Sequence, residues 1–141
     1  MRREIGTVVG LLLVVSIASS GWATQNDEVK KAIVVSGEWL TLIDNNNFST
    51  SWETAGFYFK QNVDNKEWVK KILAVRNPLG RLINRNMISS KYMTYLPGAP
   101  DGEYVVIQYK SSFENKKTAI ETVTPMRDKD GIWRVSGYFI K

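Results

Sequence analysis

An α+β fold, with N-terminal helices packed on a curved four-stranded antiparallel sheet, follows from three observations on the sequence. Apolar residues recur at helical spacing up to Leu79-Gly80 and alternate with period 2 beyond that point. The strand-like runs after this boundary are joined by short stretches of turn chemistry. The nine residues Leu96-Pro97-Gly98-Ala99-Pro100-Asp101-Gly102-Glu103-Tyr104 hold two of the four prolines and two of the ten glycines, and read as a chain reversal between two long β-type runs. Helices first and a meander afterwards argue for helices gathered on one face of an antiparallel sheet.

The first 23 of the 141 residues have the pattern of an export leader. Arg2 and Arg3 precede an apolar run from Val8 to Ile17, and Gly21-Trp22-Ala23 supplies small residues before a cleavage point after Ala23. Several glycines and serines dilute the stretch as a membrane span. The expected product is a single α+β domain over residues 24–141, not membrane-spanning once the leader is removed, exported to the periplasm or secreted. No cysteine is present, so no lipid attaches at a lipobox and no disulfide staples the fold.

Asp27 is placed to cap a first helix, with Val29, Ala32, Ile33, Ser36, Leu40 and Ile43 along one stripe. Val34, Val35 and Trp39 widen that stripe, so the helix is expected to be largely buried. Asp44-Asn45-Asn46-Asn47 ends it by turn chemistry. Asn47-Phe48-Ser49 also matches a glycosylation acceptor, but the turn explains the same residues. A second, short helix is capped by Ser49 or Thr50 and carries Phe48, Trp52, Ala55, Gly56 and Phe59 at helical spacing. The third begins with a capping box, Asp64 and Glu67. It buries Trp68, Ile72 and Val75, and Pro78 ends it near Arg76 or Asn77.

The first strand, Arg81 to Tyr95, is expected to be bent or bulged, because alternation fails near Ile88. The second, Glu103 to Phe113, places Val105, Ile107, Tyr109 and Phe113 on one face and is apolar enough on both to be central. Glu114-Asn115-Lys116-Lys117 turns the chain into a third strand, Thr118 to Met126, with Ala119, Glu121 and Val123 on one face and Pro125 at a frayed or bulged end. Asp128-Lys129-Asp130-Gly131 is a hairpin connection. In the fourth strand, Ile132 to Ile140, strict alternation puts Trp133, Val135, Gly137 and Phe139 opposite Arg134, Ser136 and Tyr138.

Composition excludes much chemistry. With no histidine, the commonest general base and the commonest metal ligand are both missing. There is no metal-ligand set, and no cofactor motif was found. Asp44 and the asparagines after it lack the glycine and terminal glutamate of a calcium loop. Net charge is +5, but the lysines and arginines are scattered over helix and strand with no nucleic-acid module, so nucleic acid is not an expected partner.

The series Trp39-Leu40, Asp44, Ser51-Trp52, Trp68, Arg76-Asn77-Pro78-Leu79-Gly80, Arg85, Leu96 to Tyr104, Glu121 and Gly131 to Tyr138 resembles a bacterial family described only as domain of unknown function 4019. The order of elements also resembles a small cone of the nuclear transport factor 2-like or cystatin type. The resemblance implies a fold with space between the longest helix and the sheet, and bacterial export; it implies no reaction.

Without histidine or cysteine, catalysis would fall to carboxylate and tyrosine, with burial raising a carboxyl pKa. Glu121, mid-strand on an apolar face, is the candidate base; the structural alternative is a salt bridge to Arg85, Arg76 or Arg134. Arg76 and Arg85 suit an anionic ligand, or pair with Glu121 or Asp44. Trp39, Trp52, Trp68 and Tyr104 are candidates to line a pocket, though tryptophans at such spacing usually form core. Ser51 has no partner base. Three functions remain open. The first is a non-catalytic exported module binding a small ligand or an envelope partner. The second is a lyase or isomerase using Glu121 with Tyr104, Tyr109 or Tyr138. The third is a structural protein, a possible homodimer assembled through its sheet, which requires a filled cone and an exposed apolar sheet face. The reading leans away from an enzyme.

Overall fold

The computed structural model of the protein describes residues 20–141, with side chains from Thr24 onward. Of the leader expected over residues 1–23, residues 1–19 lie outside the described residues. The elements are α1 (Ser20–Asp44), α2 (Phe48–Glu53), α3 (Phe57–Asn62), α4 (Asn65–Arg76), a 3-10 turn (Asn77–Leu79), and strands β1 (Leu82–Met93), β2 (Tyr104–Phe113), β3 (Lys116–Arg127) and β4 (Trp133–Ile140). The strands form one antiparallel sheet in the order β1-β2-β3-β4. The expected class, helices followed by a four-stranded antiparallel meander, is the one observed.

α1 lies across the sheet and is amphipathic, where the widened stripe predicts a largely buried helix. Its buried residues are Glu28, Ala32, Ser36, Trp39, Leu40 and Ile43, whereas Val34 is 58% exposed. Asp27 is exposed and sits inside the helix, so it is not a cap; no proline stands between Ser20 and Asp27 to interrupt the helix. The asparagine turn ends α1 as expected, with Asn46 in the left-handed region at φ 60°.

The single short helix expected next is two helices, broken at Gly56. That residue has ψ 158°, and its N–H is taken by the Val135 carbonyl of β4 at 2.7 Å. Helical hydrogen bonding cannot continue through an amide pointed at the sheet. A Cβ at Gly56 would stand 3.4 Å from that same carbonyl oxygen, an ordinary contact, so it is the amide bond to β4 that fixes the break here. α4 begins at the expected cap, where Asp64 accepts from the Glu67 N–H at 2.8 Å. Its buried face is shifted from the expected one: Trp68, Ile72 and Arg76 are buried, and Val75 is 42% exposed. The spacing i, i+4, i+8 puts the arginine, not the valine, on the core side.

In the sheet, β1 is an edge strand with register shifts between Leu82 and Asn84 and between Met87 and Ser89, leaving Ile83 and Ile88 as extra residues. β2 is central and buries Val105, Ile107, Tyr109 and Phe113. The β2–β3 turn is tighter than expected, with Glu114 and Asn115 alone between the strands. The β3–β4 connection closes through Asp128 N–H to Ile132 O at 2.9 Å, and Gly131 takes φ 82°.

β4 departs from strict alternation, for a physical reason. Pro125 pairs with Val135, and Thr124 pairs with Gly137, so Ser136 is an extra residue opposite a proline that has no N–H to give the ladder. The bulge exchanges the two faces of the strand. Trp133 and Val135 point into the core as expected, but beyond the bulge Tyr138 packs against the core cluster. Phe139 turns outward and is 60% exposed.

Candidate functional site

The face of β3 that carries Ala119, Glu121 and Val123 looks onto α1. Glu121 is fully buried, and four donors converge on its carboxylate. Arg85 of β1 approaches through Nε at 2.7 Å and Nη2 at 3.1 Å. The Ser111 hydroxyl of β2 and the Tyr138 hydroxyl of β4 each donate at 2.5 Å. Arg85 also forks onto Asp44, the last residue of α1, at 2.6 and 3.0 Å. Arg76 of α4 reaches Asp44 at 3.0 Å and lies over the Phe113 ring, 4.8 Å from its centroid. Two guanidinium groups thus face two carboxylates in a buried cluster with no net charge. Arg76 Nε and Nη1 are buried with no protein partner.

The electrostatics follow from this arrangement. Burial works against the charge of Arg85, but the bonds from Asp44 and Glu121 more than offset it and raise its pKa. Burial, and then the Glu121 charge, push the Tyr138 pKa well above its ordinary value of 10.0. Burial also raises Tyr109, whose hydroxyl sits 3.0 Å from that of Ser36. A tyrosine whose pKa is raised in the folded state costs no stability below the unfolded-state pKa. Stability is then lost as pH climbs from that value toward the native one. For Tyr138 the expected loss is about 1.4 kcal/mol for each pH unit above ~10. Urea unfolding between pH 8 and 11 measures it, and Tyr138→Phe should flatten that alkaline limb; an equal slope in both proteins would refute the assignment.

The tryptophans lie beside this cluster and fill the space between α1 and the sheet. Trp39 stands 5.9 Å from Trp68 and 5.5 Å from Tyr138, and Phe59 meets Trp68 edge-on at 4.9 Å. Their indole N–H groups are engaged locally: Trp39 donates to Ser51 O at 2.8 Å and Trp68 to Ser51 Oγ at 2.9 Å. Trp52, farther out, donates to Val63 O at 2.7 Å and lies under the Lys60 ammonium. Tyr104 stands apart. It is buried on the other face of β2, and its hydroxyl donates to Pro100 O, which locks the Leu96–Tyr104 block on itself.

Of the sequence candidates, then, Arg76, Arg85 and Glu121 meet through Asp44. Trp39 and Trp68 pack next to them, and Trp52 and Tyr104 do not join them. Arg134 pairs with Asp128 and Asp130 at the far hairpin. Two contributors escaped sequence reasoning, while Tyr138, named there among the candidate partners of Glu121, reaches it only because the bulge at Ser136 turns it inward. Ser111 is one more small polar residue in a strand. Glu28 accepts from the Trp133 N–H at 2.6 Å and from Lys31 at 2.8 Å. These bonds, Lys31 foremost, lower its pKa. Its position one turn before Ala32 on the buried stripe was the available signal.

Chemically the cluster is closed. A carboxylate that already accepts four hydrogen bonds has no lone pair directed at a substrate proton, and the neutral Tyr138 keeps its proton and donates its O–H hydrogen bond to that same carboxylate. A separate open groove of about 1080 Å³ lies at the end of the molecule where α3, the Leu96–Tyr104 block and the β3–β4 hairpin meet. Phe57, Tyr58, Pro100, Asp101, Met126 and Lys129 are among its walls. Tyr58 braces it by donating to Gly98 O at 3.1 Å. Among the described residues no group of three or more acidic or thiol side chains is placed to hold a metal, and no helix is long and apolar enough to cross a membrane.

A family model described as "Protein of unknown function (DUF4019)" matches residues 35–138. That span runs from the middle of α1 to Tyr138 and holds the whole buried cluster. A search of the curated proteins finds no match.

Proposed function

We propose that this chain, which belongs to the DUF4019 family, is an exported module without a catalytic role that works by binding an envelope partner at its surface. The observation that carries this reading is the saturated carboxylate. Glu121 with Tyr138 is the pairing in which a lyase or isomerase would place its base and donor, and every acceptor position there is engaged by Arg85, Ser111 and Tyr138. Rings pack over it, and the indole N–H groups nearby are bonded to Ser51. Export to the periplasm or the medium is supported by the leader pattern of residues 1–23, with its paired arginines, apolar run and small residues before the cleavage point.

A second reading, a small-molecule binder, is favoured by the groove beside the Leu96–Tyr104 block. Its mix of exposed Phe57, half-buried Tyr58 and the charged Asp101 and Lys129 would suit an amphiphilic ligand better than the packed interior does. Native mass spectrometry of the mature protein purified from its own host separates the readings. Partner binding predicts chain mass with no small molecule on it, alone or joined by the mass of a second protein. A small molecule bound at fixed stoichiometry, and released on denaturation, would overturn that reading in favour of the groove.

A further inference from the structure

We propose that two copies of this chain pair through the outer edge of β1, antiparallel about a twofold axis between Met87 and Ile88, joining the two sheets into one of eight strands. This goes beyond the reading above and does not depend on it.

The outer edge of β1 has no partner strand among the described residues. It is twelve residues long, and apolar side chains crowd it: Ile83 is 59% exposed, Met87 48%, Ile88 54%, Met93 38%, with Tyr95 63% just beyond. Long apolar edges of this kind template strand pairing. The opposite edge strand is guarded, because β4 has its Val135 carbonyl capped by Gly56 and α3 packed beside it.

What selects a second copy as the occupant is the self-complementarity of the strand. Leu82-Ile83-Asn84-Arg85-Asn86-Met87 followed by Ile88-Ser89-Ser90-Lys91-Tyr92-Met93 is a palindrome of apolar and polar positions. Rotated about its midpoint, the strand sets Met87 on Ile88, Asn86 on Ser89, Arg85 on Ser90 and Asn84 on Lys91, with apolar residues over one another at both ends. No like charges oppose each other, which would disfavour the pairing. Lys91 faces a neutral amide, and Arg85 is neutralised from within by Asp44 and Glu121.

The bulge makes the faces agree. In a regular strand, a twofold placed between two residues would oppose side chains from opposite faces, since faces alternate residue by residue. Ile88 is the extra residue between Met87 and Ser89, and it exchanges the faces at the dyad. Asn84, Asn86, Ser89 and Lys91 pair with the outward β2 residues Ser112, Lys110, Gln108 and Val106, while Arg85 and Ser90 pair with the buried Ser111 and Ile107. Each palindromic pair from Asn84–Lys91 to Asn86–Ser89 therefore shares one face. The contact is isologous and closed, so it ends at a dimer instead of a filament.

Sedimentation equilibrium and cysteine cross-linking test this together. The parent should show twice the chain mass, and Ile88→Lys, which sets two ammonium groups beside the dyad, should halve that mass while the monomer still unfolds in one cooperative transition, at a melting temperature lowered by the lost association. The chain has no native cysteine, so Asn86→Cys and Ser89→Cys proteins can be mixed under mild oxidation. The mixture should yield a disulfide-linked dimer. Each variant alone should not, because like positions lie about 10 Å apart along the paired strands, beyond the roughly 7 Å a disulfide spans. A parent that stays monomeric, including one whose edge is taken by another protein, overturns the proposal. So does a dimer in which the mixed cysteines fail to link, since it would use another face.

Discussion

Replacing Glu121 by alanine is expected to lower the unfolding free energy by about 3 to 5 kcal/mol, the range for removing one partner of a buried ion pair. The cost arises from what remains. Arg85 keeps its charge and its 13% exposed side chain, but loses two of its four bonds to carboxylate oxygens, while Ser111 and Tyr138 lose their acceptor. Asp44 cannot compensate, because it already serves both Arg85 and Arg76. The control is a double replacement, Arg85→Met with Glu121→Leu, which leaves the Asp44–Arg76 pair intact and should recover much of the loss. Urea unfolding of the single and double variants measures both. A Glu121→Ala protein as stable as the parent would show that the cluster contributes no net stability, and would reopen the carboxylate as a group held for chemistry.

Trp39→Ala should cost a similar amount, about 3 to 5 kcal/mol, as for other large buried aromatic truncations. The ring is 3% exposed and touches Trp68 and Tyr138, and its N–H satisfies the buried Ser51 carbonyl. Trp39→Phe keeps most of the packing and should cost less than half as much. Thermal melts of both variants decide whether the ring is core or the floor of a ligand site. If Trp39→Ala melts within a degree or two of the parent, the ring is not packing against a filled interior.

Much of this architecture is legible in the sequence because local chemistry and tertiary packing agree. Asp64 and Glu67 announce the start of α4, and the change of period at Leu79-Gly80 marks where the sheet begins. Parity alone puts Glu121 on an apolar face, which obliges a buried carboxylate to find cations, and the sequence leaves Arg76, Arg85 and Arg134 open as its partners; the structure selects Arg85. What escapes is set by single residues whose effect is not local. Gly56 breaks a helix because the Val135 carbonyl of β4, far along the chain, takes its amide. Ser136 inverts β4 because the proline opposite it cannot donate. Arg76 continues the spacing of Trp68 and Ile72 into the core in place of Val75, and what makes that position bearable for a charge is Asp44 at the end of α1, which no hydrophobic pattern supplies.

The bonds that tie α1 to β4 also set the timing of folding. Glu28 and Trp133 are 105 residues apart, and Trp39 waits for Tyr138 to complete its cage of rings. The hairpins of the meander close over turns of a few residues and can form early, but the stripe of α1 finds its last partners only when β4 exists. During synthesis α1 is therefore made before the sheet that covers it, and its buried stripe is fully covered only once β4 has emerged.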